Sequence, residues 1–334
     1  MNQVSEKEKK AYEAVRKGVG ASLLPFERCL KMTGKDRLAY LHGLVTNDVK
    51  SLKVGEGCYA ACLIPEGRMV SDLRIYVLED ALLLFFKQFA RERLMAHLDH
   101  YLFAEDVVMN LLTDVTLSIL GPHSRSFLSE LSGHVVTDRP EGHQEMSLAG
   151  VRLRVFCHSH TGQAGYDLLI PTDAVGTIKQ YFLEKGRAFG LEWIAEETFH
   201  RFRIEAGIPF FGIDMTEATI PIEAGLEKTA ISYTKGCYTG QEVIAKIKYI
   251  GHVNRYLIGL KGRGGAFQSE SKIFSQGQEV GTVKSTTFSL FLNGPIALGY
   301  IKREFKGSGS PVDVFAGTDK LSAEIQDLPF VPPR

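Results

Sequence analysis

Hydrophobic and polar positions follow two different rhythms along this chain. Over residues 6–17 charged residues surround Tyr12, Ala14 and Val15 at helical spacing, and Gly18 and Gly20 end the pattern, which predicts a short amphipathic helix. A strand is expected at 27–32, followed by a Gly34 turn and a helix from Asp36 carrying Leu38, Leu41 and Leu44. After Gly55 and Gly57 the period shortens: CYAACLI, the turn Pro65-Glu66-Gly67-Arg68 and MVSDLRIYVL read as a hairpin. In its second strand Asp72 and Arg74 share a face with Val70 and Tyr76.

LLLFF at 82–86 reads as a buried strand and 89–101 as a helix with Leu94, His97, Leu98 and Tyr101 on one side. Further strands are expected at 107–111, 116–120, 151–157 and 166–170, and helices at 124–131, 173–185 and 197–206. Such interleaving predicts an α+β body. From Ile258 onward helix signals vanish, and GTVKSTTF, IALGYI and PVDVF alternate with glycine turns, so a small β-barrel is expected at the end of the chain. The division falls near 255: an α+β region of two interleaved subdomains over 1–255 and the barrel over 256–334. The tail DLPFVPPR is expected to lie extended on the surface.

With 334 residues the chain is long enough for roughly two or three domains. Thirty-nine basic residues balance thirty-nine acidic ones, which leaves no global field for a polyanion and argues against nucleic acid as a partner. The longest apolar run, 81–86, is far short of the roughly 20 residues of a membrane span, and the amino-terminal stretch lacks a signal peptide's apolar segment, so a cytoplasmic protein is expected. Cys29, Cys58, Cys62, Cys157 and Cys237 are an odd set without a CxxC pair, and reduced thiols are expected. Cys157-His158-Ser159-His160 is not expected to hold a metal, because residues along a strand face alternate sides.

The most unusual choices fall between Arg203 and Arg255. Lys235-Gly236-Cys237-Tyr238-Thr239-Gly240-Gln241-Glu242 sets a thiol between glycines ahead of an expected helix at 241–247 that Thr239 can cap. A helix start and the neighbouring Lys235 both favour a thiolate, which makes Cys237 a candidate reactive group. The alternative is a small apolar residue filling a gap.

KGCYTGQE, with RIEAGIP and DMTEATIPIEAGL before it and GHVNR after it, resembles the YgfZ folate-binding family, relatives of the glycine cleavage T-protein, an aminomethyltransferase. TGKDRLAYLHGLVTNDVKSL followed by EGRMVSDLRIY resembles the same family's opening blocks in order and spacing. The resemblance implies an α+β, multi-subdomain body around a central folate cavity, closed by a C-terminal β-barrel, with tetrahydrofolate or a one-carbon derivative as cofactor. It implies a protein that assists assembly or repair of iron–sulfur clusters in other proteins, whose partners would be iron–sulfur proteins or their assembly factors. The alternatives are a tetrahydrofolate-dependent aminomethyltransferase and a non-catalytic scaffold, and whether the chain is an enzyme stays open.

Residue by residue, the resemblance makes Cys237 the reactive thiol and Asp72 the acidic group near the one-carbon position. Glu205 becomes the anchor for the pterin's paired donors, since a carboxylate accepts two adjacent N–H groups. Phe210 and Tyr238 are candidates to sandwich the rings, Lys235 lies beside them, and Arg255 is the candidate for the folate tail, ahead of Arg74 and Arg203. Where the T-protein has two neighbouring acids, this chain has Ser71 and Asp72; where it has the thiol, the T-protein has none.

Overall fold

Ser5 opens the first helix with a capping box: its hydroxyl accepts from the Glu8 amide at 3.2 Å and the Glu8 carboxylate accepts from the Ser5 amide at 3.3 Å. The protein is described by a computed structural model over residues 4–332, so Met1, Asn2 and Gln3, and Pro333 and Arg334 of the proline-rich tail, lie outside the described residues.

The chain begins α1 (Glu6–Lys17), β1 (Gly20–Leu23), β2 (Glu27–Thr33), α2 (Arg37–His42), β3 (Gly57–Leu63), β4 (Met69–Val77), β5 (Ala81–Lys87), α3 (Arg91–His100) and β6 (Val108–Leu111). It continues through β7 (Val115–Leu120), α4 (Ser124–Ser132), β8 (His143–Leu148), β9 (Val151–Cys157), β10 (Gly165–Ile170), α5 (Val175–Lys185), β11 (Glu192–Trp193), α6 (Glu196–Glu205), α7 (Glu227–Ala230) and α8 (Gln241–Tyr249). The last six strands are β12 (Arg255–Gly262), β13 (Lys272–Ser275), β14 (Gln278–Ser289), β15 (Gly294–Lys302), β16 (Pro311–Ala316) and β17 (Asp319–Gln326).

The strands form a five-stranded sheet, β3-β4-β5-β2-β6, a six-stranded sheet, β11-β1-β7-β10-β9-β8, and a closed barrel, β12-β15-β14-β13-β16-β17. This is the α+β body with a terminal barrel that the two rhythms predict. β5 is buried at every position, which explains its unbroken apolar run: one face packs on the α2 and α3 side, the other on the second sheet. Cys29, Tyr76, Leu83, Phe85, Phe156 and Leu169 form the seam between the two sheets. Truncating Phe156, which is fully buried there, is expected to destabilise the fold by about 3–5 kcal/mol.

β1, β8, β11 and α7 are not legible in the sequence. β11 has two residues and α7 four, and β8 (HQEMSL) carries only Met146 and Leu148 as apolar inward positions. The tail is also tied down more firmly than expected. The Val331 amide donates to the Glu205 carbonyl at 3.0 Å, and Val331 is buried. Gly207, at φ +69°, lets this tail approach; a Cβ there would sit 2.8 Å from Leu328 Cβ.

Candidate functional site

The body and the barrel enclose a cavity of about 800 Å³. The β3–β4 hairpin supplies one wall, with Cys58, Tyr59 and Arg74. The other walls are the turn at Pro140 and Glu141, the segment Gly207 to Pro209 after α6, β12 through Leu257 and Ile258, and the tail through Gln326, Asp327 and Leu328. Hairpin register makes the polar wall: Tyr59 pairs with Arg74 and Ala61 with Asp72, so Asp72 stands diagonally across from Tyr59 on one face. The Tyr59 hydroxyl donates to Asp72 Oδ2 at 2.9 Å, and the Arg74 guanidinium lies 4.9 Å from the centre of the Tyr59 ring.

Glu141 anchors the opposite side. It sits at φ +55°, a strained conformation for this residue, with Arg74 donating to Oε1 and the Tyr76 hydroxyl donating to Oε2 at 3.0 Å. Burial pushes the Glu141 carboxyl up, but the charge and hydrogen bond of Arg74 and the Tyr76 hydroxyl outweigh it and hold it below the usual range.

Asp72 lies at a smaller hollow of about 40 Å³, roughly the room of one water, which shares Tyr59, Arg74, Ile208 and Pro209 with the main cavity. The Glu27–Lys87 ion pair, Phe210, Arg203 and His160 also line it. Burial pushes the Asp72 carboxyl up despite the Tyr59 bond and the Arg74 charge. Its Oδ1 is buried and has no hydrogen-bond partner among the described residues.

Of the residues picked out in the sequence, Asp72, Phe210, Arg74 and Arg203 meet at this hollow; the others lie elsewhere. Glu205 has both oxygens engaged, Oε2 accepting from Tyr12 at 2.7 Å and Oε1 from Ser289 at 2.6 Å, and it does not line the cavity. It ties α1 and the barrel to α6. Lys235 is buried, with Nζ donating to the carbonyls of His42, Val45 and Asn47 at 2.5, 2.5 and 3.1 Å, so it braces the turn that brings Asn47 to the cavity. Tyr238 belongs to the core beneath β3 and β4.

Arg255 donates from Nε to Glu223 at 3.0 Å and covers the Tyr300 ring at 4.7 Å, outside the cavity lining. Cys237 is exposed on the loop ahead of α8 and does not line the cavity. Thr239 is not the cap of that helix. Gly240 takes the N-cap position at φ +84°, where a Cβ would stand 2.7 Å from the Ile64 carbonyl oxygen.

The expectation for the Cys157–His160 run also changes. β9 ends at Cys157, and His158 and His160 both turn inward to meet Asp167 of β10, a residue the sequence did not mark. Tyr59 follows from the hairpin register once the Pro65–Arg68 turn is set. Glu141 and Asp167 come from other segments and carry no local signal.

The fold is that of the glycine cleavage T-protein class. The chain belongs to the family of the GCVT N-terminal domain, which matches residues 2–235, and residues 255–332 match the glycine cleavage T-protein C-terminal barrel domain. It is 28% identical over 328 residues to an aminomethyltransferase of Bacillus subtilis, covering 96% of this chain and 90% of that protein. An aminomethyltransferase of Desulforamulus reducens is 27% identical over 331 residues, covering 96% and 88%. The crystal structure of glycine cleavage system aminomethyltransferase T from Bartonella henselae has the same fold, with a TM-score of 0.88 at 22% identity over 98% of this chain and 90% of that one.

These matches correct the expected role in iron–sulfur cluster assembly or repair. Relatives that share both the body and the barrel are named aminomethyltransferases, which favours the transferase alternative, and iron–sulfur proteins and their assembly factors are withdrawn as partners. Among the described residues no helix is long and apolar enough to cross a membrane.

Proposed function

We propose that this protein is a tetrahydrofolate-dependent aminomethyltransferase, taking the aminomethyl group from a carrier protein or a small amine. The observation that carries this is the buried Oδ1 of Asp72, without a hydrogen-bond partner among the described residues, at the small hollow that shares Tyr59, Arg74, Ile208 and Pro209 with the cavity between body and barrel. The residues present fit the cofactor. A volume of about 800 Å³ lies within the range of pockets for ligands of this size, Tyr59 offers an aromatic wall, and Oδ1 is a vacant acceptor for an N–H group.

When bound, tetrahydrofolate supplies the nitrogen that accepts the one-carbon unit. The protein's share is positional and protonic. Tyr59 holds Asp72 through Oδ2, which leaves Oδ1 to take or return a proton, and burial keeps that carboxyl closer to neutral pH than an exposed aspartate. Arg74, fixed by Glu141, puts positive charge against the same wall, and Leu328 of the tail lines the cavity on the barrel side. The resemblance of Lys235–Glu242 to the YgfZ branch supports a place near that branch within the family, and no separate activity is attached to it.

The test is formation of methylenetetrahydrofolate, with release of ammonia and the free carrier, from tetrahydrofolate and an aminomethylated carrier protein. Product from the wild type that disappears in Asp72→Asn supports the proposal. Tight tetrahydrofolate binding with no product from wild type, across carrier and small-amine donors, would make the protein a non-catalytic scaffold.

A further inference from the structure

Three ligand-type atoms that the transfer reaction does not use converge beneath the cavity. His158 Nε2 and His160 Nε2 are 2.9 Å apart, and Asp167 Oδ2 lies 2.7 Å from His160 Nε2 and 3.1 Å from His158 Nε2. All three residues are buried, with 8, 9 and 1% of their surface exposed.

The surroundings hold the three donors in place while leaving a carboxylate oxygen open. The Tyr76 hydroxyl lies 3.0 Å from Glu141 Oε2 and 2.9 Å from His158 Nδ1, which links the His158 ring to the Glu141 carboxylate. His158 Nε2 faces both Asp167 Oδ2 and the other imidazole nitrogen. Asp167 Oδ1 is buried without a hydrogen-bond partner among the described residues.

We infer that His158, His160 and Asp167 form a binding site for a borderline divalent transition-metal ion, Fe2+ or Zn2+. Two imidazole nitrogens and one carboxylate suit these ions, whereas Mg2+ and Ca2+ prefer all-oxygen shells. The edges of the donor triangle, 2.7 to 3.1 Å, resemble one face of an octahedron with metal–ligand distances of about 2.1 Å. Three protein ligands leave positions open, and the adjoining hollow of about 40 Å³, which His160 lines, has room for one coordinated water.

The supporting shell is in place. Tyr76 holds the orientation of the His158 ring, and Glu141, itself paired with Arg74, holds Tyr76 in turn. The two histidines lie in the loop that follows β9, and the carboxylate comes from the neighbouring strand β10, in the interior of the six-stranded sheet.

The test uses the full chain without folate, so its outcome is independent of the transferase proposal. Chelator-stripped protein is incubated with Zn2+, with Fe2+ under anaerobic conditions, or with Co2+ as a spectroscopic probe, then desalted and assayed for metal. The expected result is about one equivalent retained per chain, a raised Tm, and a visible Co2+ spectrum. His160→Gln and Asp167→Asn are expected to lower retention by about tenfold or more with an unchanged far-ultraviolet circular dichroism spectrum.

Should either variant fail to fold, proton NMR of the wild-type Co2+ form decides, and resonances shifted by the ion from two imidazoles are expected. Wild-type protein that retains none of the three ions, variants that retain as much as wild type, or a Co2+ form without shifted imidazole signals would each overturn the site.

Discussion

The Tyr59 hydroxyl donates to Oδ2 of Asp72 at 2.9 Å, while Oδ1 of the same carboxyl is buried and unpartnered among the described residues. One oxygen is thus fixed to the protein and the other is left for the ligand. Asp72→Asn, which keeps the shape but neither ionises nor carries an exchangeable carboxyl proton, should lower methylenetetrahydrofolate formation by about 100-fold or more. Tyr59→Phe leaves Oδ2 unpaired and should cost about tenfold, since a charge-assisted bond contributes about 1.5–3 kcal/mol. Single-turnover rates with aminomethylated carrier check both; equal rates in all three proteins would remove Asp72 from the chemistry.

The same carboxyl makes a prediction about stability. Burial raises the Asp72 pKa in the folded state, so the folded protein binds the proton more tightly than the unfolded chain does. Its contribution is therefore most favourable below the unfolded pKa of about 3.9 and is lost as pH rises through the raised folded value. Asp72→Asn removes this penalty, so its urea midpoint should exceed that of wild type at pH 7, with the gap closing as pH approaches 4. A gap that widens on acidification would reverse the sign.

Glu205→Gln separates a structural carboxylate from a ligand-binding one. With Tyr12 and Ser289 both donating to it, the amide would face a hydroxyl donor with its own N–H, and stability should fall by about 1–3 kcal/mol. The tetrahydrofolate Kd should stay within about twofold, because the side chain does not line the cavity. A tenfold weaker Kd at unchanged Tm would restore Glu205 as the pterin anchor.

How far this site can be read from the chain depends on how local its determinants are. The Pro65–Arg68 turn and the alternation in MVSDLRIYVL specify the hairpin, and with it the shared face of Asp72 and Arg74; Tyr59 follows from the same register. RIEAG specifies a helix end, but not that Tyr12, 193 residues away, would reach the Glu205 carboxylate. Glu141, His158 and Asp167 meet because β9 pairs with β10 and the Glu141 amide bonds to the carbonyl of Cys157 at the end of β9, pairings that no sequence period marks. In KGCYTGQE the glycines drew attention to Cys237, whereas Gly240 serves the turn into α8.

Cys237 is the exposed member of the five thiols, while Cys29 and Cys62 are fully enclosed. Brief treatment of the native protein with iodoacetamide should label Cys237 first, as read by peptide mass spectrometry. Cys237→Ser should keep the transfer rate within about twofold, because the thiol lies outside the cavity lining. A loss of about 100-fold, with folate binding intact, would return the thiol to the reaction.

Arg74 and Arg255 compete for the role of the arginine that matters to folate, and the structure separates them. Arg74 lines the cavity and is fixed by Glu141, whereas Arg255 is turned to Glu223, the Ala218 carbonyl and the Tyr300 ring. Arg74→Met leaves the Glu141 carboxylate half-buried at a strained backbone without its cation. Stability should fall by about 2–4 kcal/mol, slightly less than for a fully enclosed pair, and the tetrahydrofolate Kd should rise more than about tenfold. Arg255→Met should move Kd by less than about twofold while loosening the contact between β12 and the 218–223 turn. Calorimetric titration of the two variants with tetrahydrofolate distinguishes them, and a larger effect at Arg255 would mean that the ligand's charged end leaves the cavity on the barrel side rather than along the hairpin.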